Sequence, residues 1–294
     1  MAALILSLPA AAFGKQFEAW GPAAVEAAVN SAAPDGCPIE SPNGRSLYIA
    51  STRSGTLGGN DIWVAHRTND ASPWSAPENL GAPVNSEFND YCPTPLHGNW
   101  LLFVSERPGP GTCSAGPGKG DIYIARFIPS LGWGAPRHLG CDADGTGPNF
   151  PGGEFGPSLV TTSSGTFLFF SSTGYGADMN IYMSRLQTDG RFGPATLVDE
   201  LNTEYADFMP NVSRNGLEIV FNSNRPGGEG LQDVYTASRA STNDPWSELV
   251  NVGTNVNTAG NETRSSLSGD GERLHFGRDG EIYVSIRNKV TGGD

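Results

Sequence analysis

The sequence predicts an all-β fold, a five-bladed β-propeller of four-stranded blades, and three observations lead to this prediction. A strand that begins Asp-Ile-aromatic, or a close variant of it, recurs five times along the 294 residues. A second β-run and a tight turn come before each of these strands. A fourth element follows four of them, and the counterpart missing after the fifth is found near the N-terminus. Self-similarity at a period of about 50–60 residues is the signature of a propeller blade.

The recurring strand is the clearest of the repeated elements. Its five copies begin Asp61-Ile62-Trp63, Asp121-Ile122-Tyr123, Asn180-Ile181-Tyr182, Asp233-Val234-Tyr235 and Glu281-Ile282-Tyr283. An arginine closes each copy, at Arg67, Arg126, Arg185, Arg239 and Arg287. Each is preceded by a turn with Asn-Gly, Asp-Gly or a related pair, as in Pro42-Asn43-Gly44, and these pairs supply the positive φ that short hairpins require.

The fourth element explains how the ring closes. It begins with an aromatic residue at Trp74, Trp133, Phe192 and Trp246, but nothing similar follows Arg287. Residues 19–30 carry the missing copy, beginning at Trp20, so we predict that they form the outer strand of the last blade and remove the free sheet edges. The alternative is a short alanine-rich helix, which propensity favours but the repeat register does not.

Composition restricts the partners and the compartment. The net charge of −13 disfavours nucleic acid and anionic membrane surfaces, and no apolar run reaches the roughly 18 residues of a membrane span. Residues 1–14 are apolar with small residues at Ala10 and Ala12, which is typical of the remnant of a secretory signal, the alternative being a disordered tail. We therefore expect a secreted or periplasmic monomer whose single domain spans residues 15–294.

The repeat resembles the WD-like repeat of TolB-type propellers, which are periplasmic and secreted proteins. Ser41-Pro42-Asn43-Gly44, Ser213-Arg214-Asn215-Gly216 and Ser223-Asn224-Arg225 carry the resemblance, which covers about residues 17–287. It implies a propeller that binds proteins or small ligands or accompanies a catalytic domain. It is specific for the fold and weak for function, because one fold hosts many functions.

An acid opens the innermost strand of every predicted blade. The five acids are Asp35, Asp90, Glu154, Asp207 and Glu262. Innermost strands run in one direction along the central channel, so we expect these carboxylates, the ring acids, in one layer near one mouth. Two interpretations remain open. In the first, the ring holds a ligand or supplies a general acid and base. In the second, each carboxylate pairs with an arginine of a neighbouring blade and so joins the blades.

Departures from the repeat suggest which ring acids lack an arginine partner. Arg53, Arg107 and Arg225 share one repeat position, which is Thr173 in the third blade and Asp279, with Arg278 one residue before it, in the fifth. We therefore expect Glu154 and Glu262 to be the least completely paired acids. Tyr91, Phe155 and Phe208 follow three of the acids and either stack on a sugar or pack between blades.

Two glycine-rich loops adjoin the second blade and interrupt the repeat. In residues 141–153, Asp142, Asp144 and Asn149 are candidate ligands for calcium, the one cofactor considered, although their spacing is not that of an EF-hand and a solvated turn is the favoured explanation. Cys113 and Cys141 lie in the two loops, and we predict a disulfide between them, as fits an exported protein. Cys37 and Cys92, at equivalent positions of adjacent blades, are predicted to be free and buried near the channel.

These features favour a binding propeller without catalysis of its own. Its ligand, a cation, a glycan or a protein, would dock at the acidic mouth of the channel. The alternative is an enzyme similar to glycoside hydrolases that uses the ring acids as acid and base, since five-bladed propellers include such enzymes. That link is an analogy at the level of the fold. A third interpretation is a structural domain of an envelope assembly.

Overall fold

The fold is an all-β propeller of five antiparallel sheets. The computed structural model describes residues 17–110, 113 and 118–290, and within these ranges it contains strands and turns but no helix. Each sheet is a meander of at least four strands in which chain neighbours pair, the last sheet taking its fourth strand from the N-terminus. The predicted fold class is therefore confirmed.

The strands follow the repeat closely. The first blade contains β2 (Asp35–Glu40), β3 (Ser46–Ser51), β4 (Asp61–His66) and β5 (Glu78–Asn79). The second contains β6 (Asp90–Leu96), β7 (Trp100–Ser105), β8 (Asp121–Ile128), β9 (Gly132–Trp133) and β10 (Arg137–His138). The third contains β11 (Glu154–Thr162), β12 (Gly165–Ser172), β13 (Asn180–Arg185) and β14 (Thr196–Leu197). The fourth contains β15 (Asp207–Val212), β16 (Glu218–Ser223), β17 (Asp233–Ser238) and β18 (Ser247–Asn251). The fifth contains β19 (Glu262–Leu267), β20 (Arg273–Arg278), β21 (Glu281–Ile286) and, outermost, β1 (Ala24–Val25).

The N-terminal segment closes the ring as predicted. Ala24 pairs with Val284 and Val25 with Tyr283 in antiparallel register, and a further bridge joins Phe17 to Lys289. The regular strand is only two residues long, because the flanking residues keep single backbone hydrogen bonds to β21 without continuous pairing. The helical alternative for this alanine-rich segment is wrong, since its backbone groups bond to another strand.

Five apolar layers hold neighbouring blades together. Phe169 of the third blade packs with Phe221 and Trp246 of the fourth, and comparable clusters fill the other four junctions. The innermost strands also contact one another around the full circle, including β19 with β2. The core is therefore a set of inter-blade layers, so changes at a junction affect two sheets at once.

Each innermost strand carries a β-bulge two residues after its acid. The pairing register shifts there in every blade. The residues at this position have positive φ, and they are Cys37, Cys92, Gly156, Met209 and Arg264. A bulge re-aims side chains next to it. This five-fold position, which we call the axial position, recurs below.

No described helix is long and apolar enough to cross a membrane. The predicted signal remnant at residues 1–14 lies outside the described residues.

One buried histidine at the junction of the first and fifth blades makes stability depend on pH. His275 is 1% exposed, and burial lowers its pKa from 6.5 to about 4. Its Nδ1 lies 3.7 Å from Glu40 and its Nε2 lies 4.0 Å from Glu26, while Arg273 and Arg67 oppose its protonation. The imidazole is therefore neutral in the native state at pH 7.

A histidine with a lowered pKa stabilises the native state above its unfolded pKa and loses that contribution as pH falls. We expect the free energy of unfolding to drop by up to about 3 kcal/mol between about pH 6.5 and pH 4 on account of His275. Urea unfolding measured across this pH range should show that the free energy of unfolding falls less steeply with pH in His275→Gln than in the wild type. Parallel curves for the two proteins would exclude His275 as the source.

Candidate functional site

The five ring acids all occupy the same place at the start of an innermost strand, and all are buried. Asp35 is 3% exposed and the other four are 0% exposed. Each accepts the backbone N–H of the residue four positions earlier, at Ser31, Ser86, Phe150, Thr203 and Thr258. In four blades the hydroxyl of that residue also donates to the acid. The acids thus fix the turn that leads into each innermost strand.

Arginine pairs with four of the five acids. Arg53 lies 2.5 Å from Asp35, Arg107 lies 2.8 Å from Asp90, and Arg225 pairs with Asp207 in the same way. Each arginine also donates to a backbone carbonyl in the preceding segment, at Val29, Val84 and Leu201. Each arginine lies in the same blade as its acid, so the expected pairing with an arginine of a neighbouring blade is wrong, although the same arginine also holds the segment that leads in from the preceding blade.

The pairing of Glu262 differs from what the sequence predicted. Arg278, one residue before the repeat position, reaches Glu262 through Nε at 2.7 Å and donates to the Val256 carbonyl through Nη2. The expectation that Glu262 is incompletely paired is therefore wrong, because a neighbouring side chain replaces the missing arginine.

Glu154 is the exception that the sequence predicted. Its Oε1 accepts from Phe150 N–H and from Ser172 Oγ, each at 3.0 Å, but no arginine pairs with it among the described residues. Its Oε2 is buried and accepts no hydrogen bond from a described group. Burial, reinforced by the negative charge of Asp121, raises the pKa of Glu154 well above its ordinary value.

Asp121 and His138 complete a buried cluster around Glu154. Asp121 Oδ2 lies 3.0 Å from His138 Nε2. Asp121 Oδ1 is buried and accepts no hydrogen bond from a described group. Glu154 and Asp121 interact through their side chains, and this interaction contributes to the raised pKa of Glu154, because two adjacent carboxylates repel each other. His138 stands where the first and fourth blades carry Asn79 and Asn251.

The aromatic residues that follow the acids pack inside the protein. Tyr91 and Phe208 are each 8% exposed, and Tyr91 lies 5.9 Å from Phe155 between ring centroids. This is the packing alternative for these side chains. A role for them in ligand binding stays a prediction.

The loop around Cys141 contains the predicted disulfide, and the three candidate calcium ligands contact different protein groups. Cys113 and Cys141 form the predicted disulfide. Asp142 accepts from Ala195 N–H and Tyr175 Oη, Asp144 accepts from Thr146, and Asn149 is buried against the Ile122 backbone. Each of the three candidate calcium ligands is thus engaged by a different protein group, and calcium binding stays a prediction.

Asn149 belongs to a repeat that the sequence analysis did not weigh. Five asparagines, each five residues before a ring acid, clamp the backbone of the recurring strand with their amides: Asn30, Asn85, Asn149, Asn202 and Asn257. The constant spacing to the acids was a sufficient signal. Asparagine and acid together form one structural motif per blade.

A groove lies at the opposite end of the first two blades from the ring acids. It encloses about 380 Å³ between the hairpin turn that joins β2 to β3 and the turn that joins β6 to β7. Aromatic walls are supplied by Tyr48, Trp100, Phe127 and Trp133. Polar groups come from Ser41, Asn43, Ser46, His66, His97 and Asn99. Not one of the described lining residues is Asp, Glu, Lys or Arg.

The second blade departs from the repeat at this groove. In the other blades that have a tryptophan at the start of the fourth element, an arginine stacks on it and buries it: Arg67 lies 4.1 Å from Trp74, and Arg239 lies 4.1 Å from Trp246. In the second blade Arg126 lies 5.2 Å from Trp100 instead. Trp133 forms the extra strand β9 and remains half-buried in the groove wall.

The sequence analysis missed this groove. Trp133 aligns with Trp74 and Trp246 at the same distance from its arginine, so the repeat alone indicates a structural residue. The available signal was the apolar run Phe127-Ile128 after Arg126, where the first blade has Thr68-Asn69.

Comparison with known proteins supports the fold and leaves the family open. No protein-family profile matches the sequence, and a search of curated proteins finds no significant relative. Among solved structures, the chain resembles an α-L-arabinofuranosidase from Lactobacillus brevis at a TM-score of 0.58 and 11% identity, covering 92% of this chain and 94% of that one.

Two further structures show the range of the similarity. An endo-arabinase from Bacteroides thetaiotaomicron gives a TM-score of 0.57 at 14% identity, covering 94% of this chain and 100% of that one. A protein described as TolB from Agrobacterium tumefaciens gives a TM-score of 0.49 at 16% identity, covering 95% of this chain and 87% of that one. At these identities, the likeness to the arabinofuranosidase and the endo-arabinase shows a shared propeller fold and no more. The fold and the two sites together describe a propeller with a buried set of ring acids at one end of its blades and an aromatic groove at the other.

Proposed function

We propose that this chain is a binding propeller for a neutral glycan and that the groove between its first two blades, not the ring of acids, holds the ligand. The observation that carries the proposal is the groove's composition. Its described lining has aromatic and polar side chains but no Asp, Glu, Lys or Arg, in a protein of net charge −13. A lining without ions disfavours an ionic ligand, since specificity for charge requires complementary charge.

A sugar matches this combination of groups. The apolar face of a pyranose or furanose ring stacks on aromatic side chains, while hydroxyls, amides and imidazoles satisfy its own hydroxyl groups. Trp100 and Trp133 provide half-buried rings, and His97 and Asn99 stand at the rim with polar atoms. The volume of about 380 Å³ falls within the range of small-ligand sites.

The compartment forms part of the proposal. The Cys113–Cys141 disulfide is typical of oxidising environments such as the periplasm or the exterior. A secreted or periplasmic location would place the groove where environmental and cell-envelope glycans occur. The proposed ligand is therefore an oligosaccharide, bound by a monomer.

The test is calorimetric titration with neutral arabino-, xylo- and cello-oligosaccharides. We expect one binding site per chain, weakened about 30-fold by Trp100→Ala or Trp133→Ala, which corresponds to the roughly 2 kcal/mol of a binding hot spot. Tyr205→Ala is the matched control, since Tyr205 is 37% exposed and lies two residues before the ring acid Asp207, at the other end of the blades. A loss of affinity in Tyr205→Ala as large as in the tryptophan variants, or no loss in either tryptophan variant, would overturn the groove as the site.

A hydrolase is the second candidate, and one observation favours it. Glu154 has the raised pKa that a general acid needs and lies beside a second carboxyl group, Asp121. Both residues are 0% exposed, whereas a glycosidase requires its two carboxyl groups about 5–9.5 Å apart and open to substrate. Release of product from chromogenic arabinosides that Glu154→Gln and Asp121→Asn both abolish would establish this candidate over binding alone.

A further inference from the structure

A histidine lies beside the disulfide of the second blade. One ring nitrogen of His138 and the sulfurs of Cys113 and Cys141 all lie within 4.8 Å of one another. Cys113 and Cys141 are 8% and 1% exposed, and His138 is half-buried. The three groups are therefore close enough to contact one ion, once the bond that joins the two sulfurs is broken.

An asparagine makes the same local contacts as this histidine in two other blades. The first and fourth blades carry Asn79 and Asn251 at this place. Their side chains donate to the acid that opens the paired strand and accept the N–H of the residue two positions later. His138 makes the corresponding contacts with Asp121 at 3.0 Å and with the Gly140 N–H at 2.9 Å. The blade that carries the bonded cysteines thus has a metal-binding imidazole where an amide would satisfy the fold.

The surroundings of the cluster match those of a metal ligand set. Asp121 is 0% exposed, and its Oδ2 contacts His138 through Nε2. Metal-ligating histidines almost always bond to a carboxylate, a carbonyl or water through their second ring nitrogen, which fixes the ring. A metal bond through Nδ1 would replace the Gly140 N–H and leave the Asp121 contact in place. The Cys113 N–H also donates to Cys141 Sγ at 3.1 Å, which favours negative charge on that sulfur.

Two thiolates and one imidazole favour zinc over other ions. Zinc binds cysteine sulfur at about 2.3 Å and histidine nitrogen at about 2.0–2.1 Å, which places donors roughly 3.5–4 Å apart around a tetrahedral ion. The present limit of 4.8 Å between donors means that small movements bring them to this geometry. Two thiolate charges balance Zn²⁺, and water takes the fourth position.

We propose that reduction of the Cys113–Cys141 disulfide creates a binding site for one zinc ion, held by the two thiolates and His138, with Asp121 as a positioning residue. A dithiol reductant transfers two electrons and two protons to the sulfur–sulfur bond and leaves as its own disulfide. Zinc then forms two bonds to sulfur and one to nitrogen and releases the two thiol protons to solvent. The two loops are joined covalently when oxidised and by the metal when reduced. This site is independent of the proposed glycan groove.

The test is zinc binding by the full chain, reduced with dithiothreitol and then separated from it without oxygen. Competition with a chromophoric zinc chelator should show one zinc ion per reduced chain and none on the oxidised protein. Cobalt(II) in place of zinc should give the near-ultraviolet absorption of thiolate-to-cobalt charge transfer. Circular dichroism follows folding, and a reduced chain that neither keeps its β-structure nor regains it with zinc would count against the proposal.

His138→Asn is the decisive variant, because asparagine makes the corresponding contacts in two other blades. It should weaken zinc binding by more than the roughly 10–100-fold cost of losing an outer contact. Asp121→Asn should weaken zinc binding within that range and keep the charge-transfer band of cobalt, since it leaves all three ligands in place.

The double variant Cys37→Ser with Cys92→Ser is the matched control, because these two cysteines are free. It should bind zinc as the reduced wild type does. Unchanged zinc affinity in His138→Asn, loss of zinc in the double variant, or a reduced wild type that binds no zinc would overturn the proposal.

Discussion

Replacing Asp207 by asparagine should destabilise the protein by about 3–5 kcal/mol, the usual cost of breaking one partner out of a buried ion pair. Asp207 is 0% exposed, pairs with Arg225, and accepts Thr203 N–H and Oγ1, both at 2.7 Å. The neutral amide leaves the Arg225 charge without its partner. Urea unfolding at pH 7, followed by tryptophan fluorescence, measures the loss.

Glu154→Gln at the equivalent position of the third blade is the matched comparison. No described arginine pairs with Glu154, and burial raises its pKa, which favours the protonated form. An acid with a raised pKa costs stability as pH climbs above its unfolded value of about 4.5. The free energy of unfolding of Glu154→Gln should therefore equal or exceed that of the wild type at pH 7, and the difference should increase at higher pH. An equal loss in both variants would contradict the distinction drawn between the two acids.

Truncation of Trp20 should have an effect of similar size, because this residue anchors the closing segment. Trp20 is 5% exposed in the layer between the fourth and fifth blades, and Arg287 stacks on its ring at 4.2 Å. Large-to-small changes of buried aromatic residues cost about 3–5 kcal/mol. We expect Trp20→Ala to lower the urea midpoint strongly.

Val25→Ala is the control in the same segment. Val25 pairs through its backbone with Tyr283 but is 45% exposed, so its side chain contributes little packing. This variant should remain within about 0.5 kcal/mol of the wild type. If both variants were near-neutral, the N-terminal strand would not be needed to close the ring.

The sequence predicts the fold well because each blade repeats the same local signals. The Asp-Ile-aromatic strand, the glycine turns and the displaced element at Trp20 each appear in register, and one repeat constrains the others. The Cys113–Cys141 disulfide followed from two loops that adjoin one blade. The unpaired state of Glu154 followed from Thr173 at the arginine position.

The site was less predictable, because it depends on departures whose consequences are three-dimensional. Arg278 reaches Glu262 from one residue away, which alignment of repeat positions does not reveal. Trp133 keeps the repeat spacing but loses its arginine to Trp100. The axial residues were visible in the sequence at a constant spacing from the ring acids, but the bulge that every innermost strand shares at this position was not.

The location of the ligand is the central claim, and a crystal structure with a bound neutral oligosaccharide tests it most directly. The account predicts sugar rings stacked on Trp100 and Trp133, between the turns of the first two blades. Sugar bound at the other end of the blades, against Glu154 and the remaining ring acids, would contradict it.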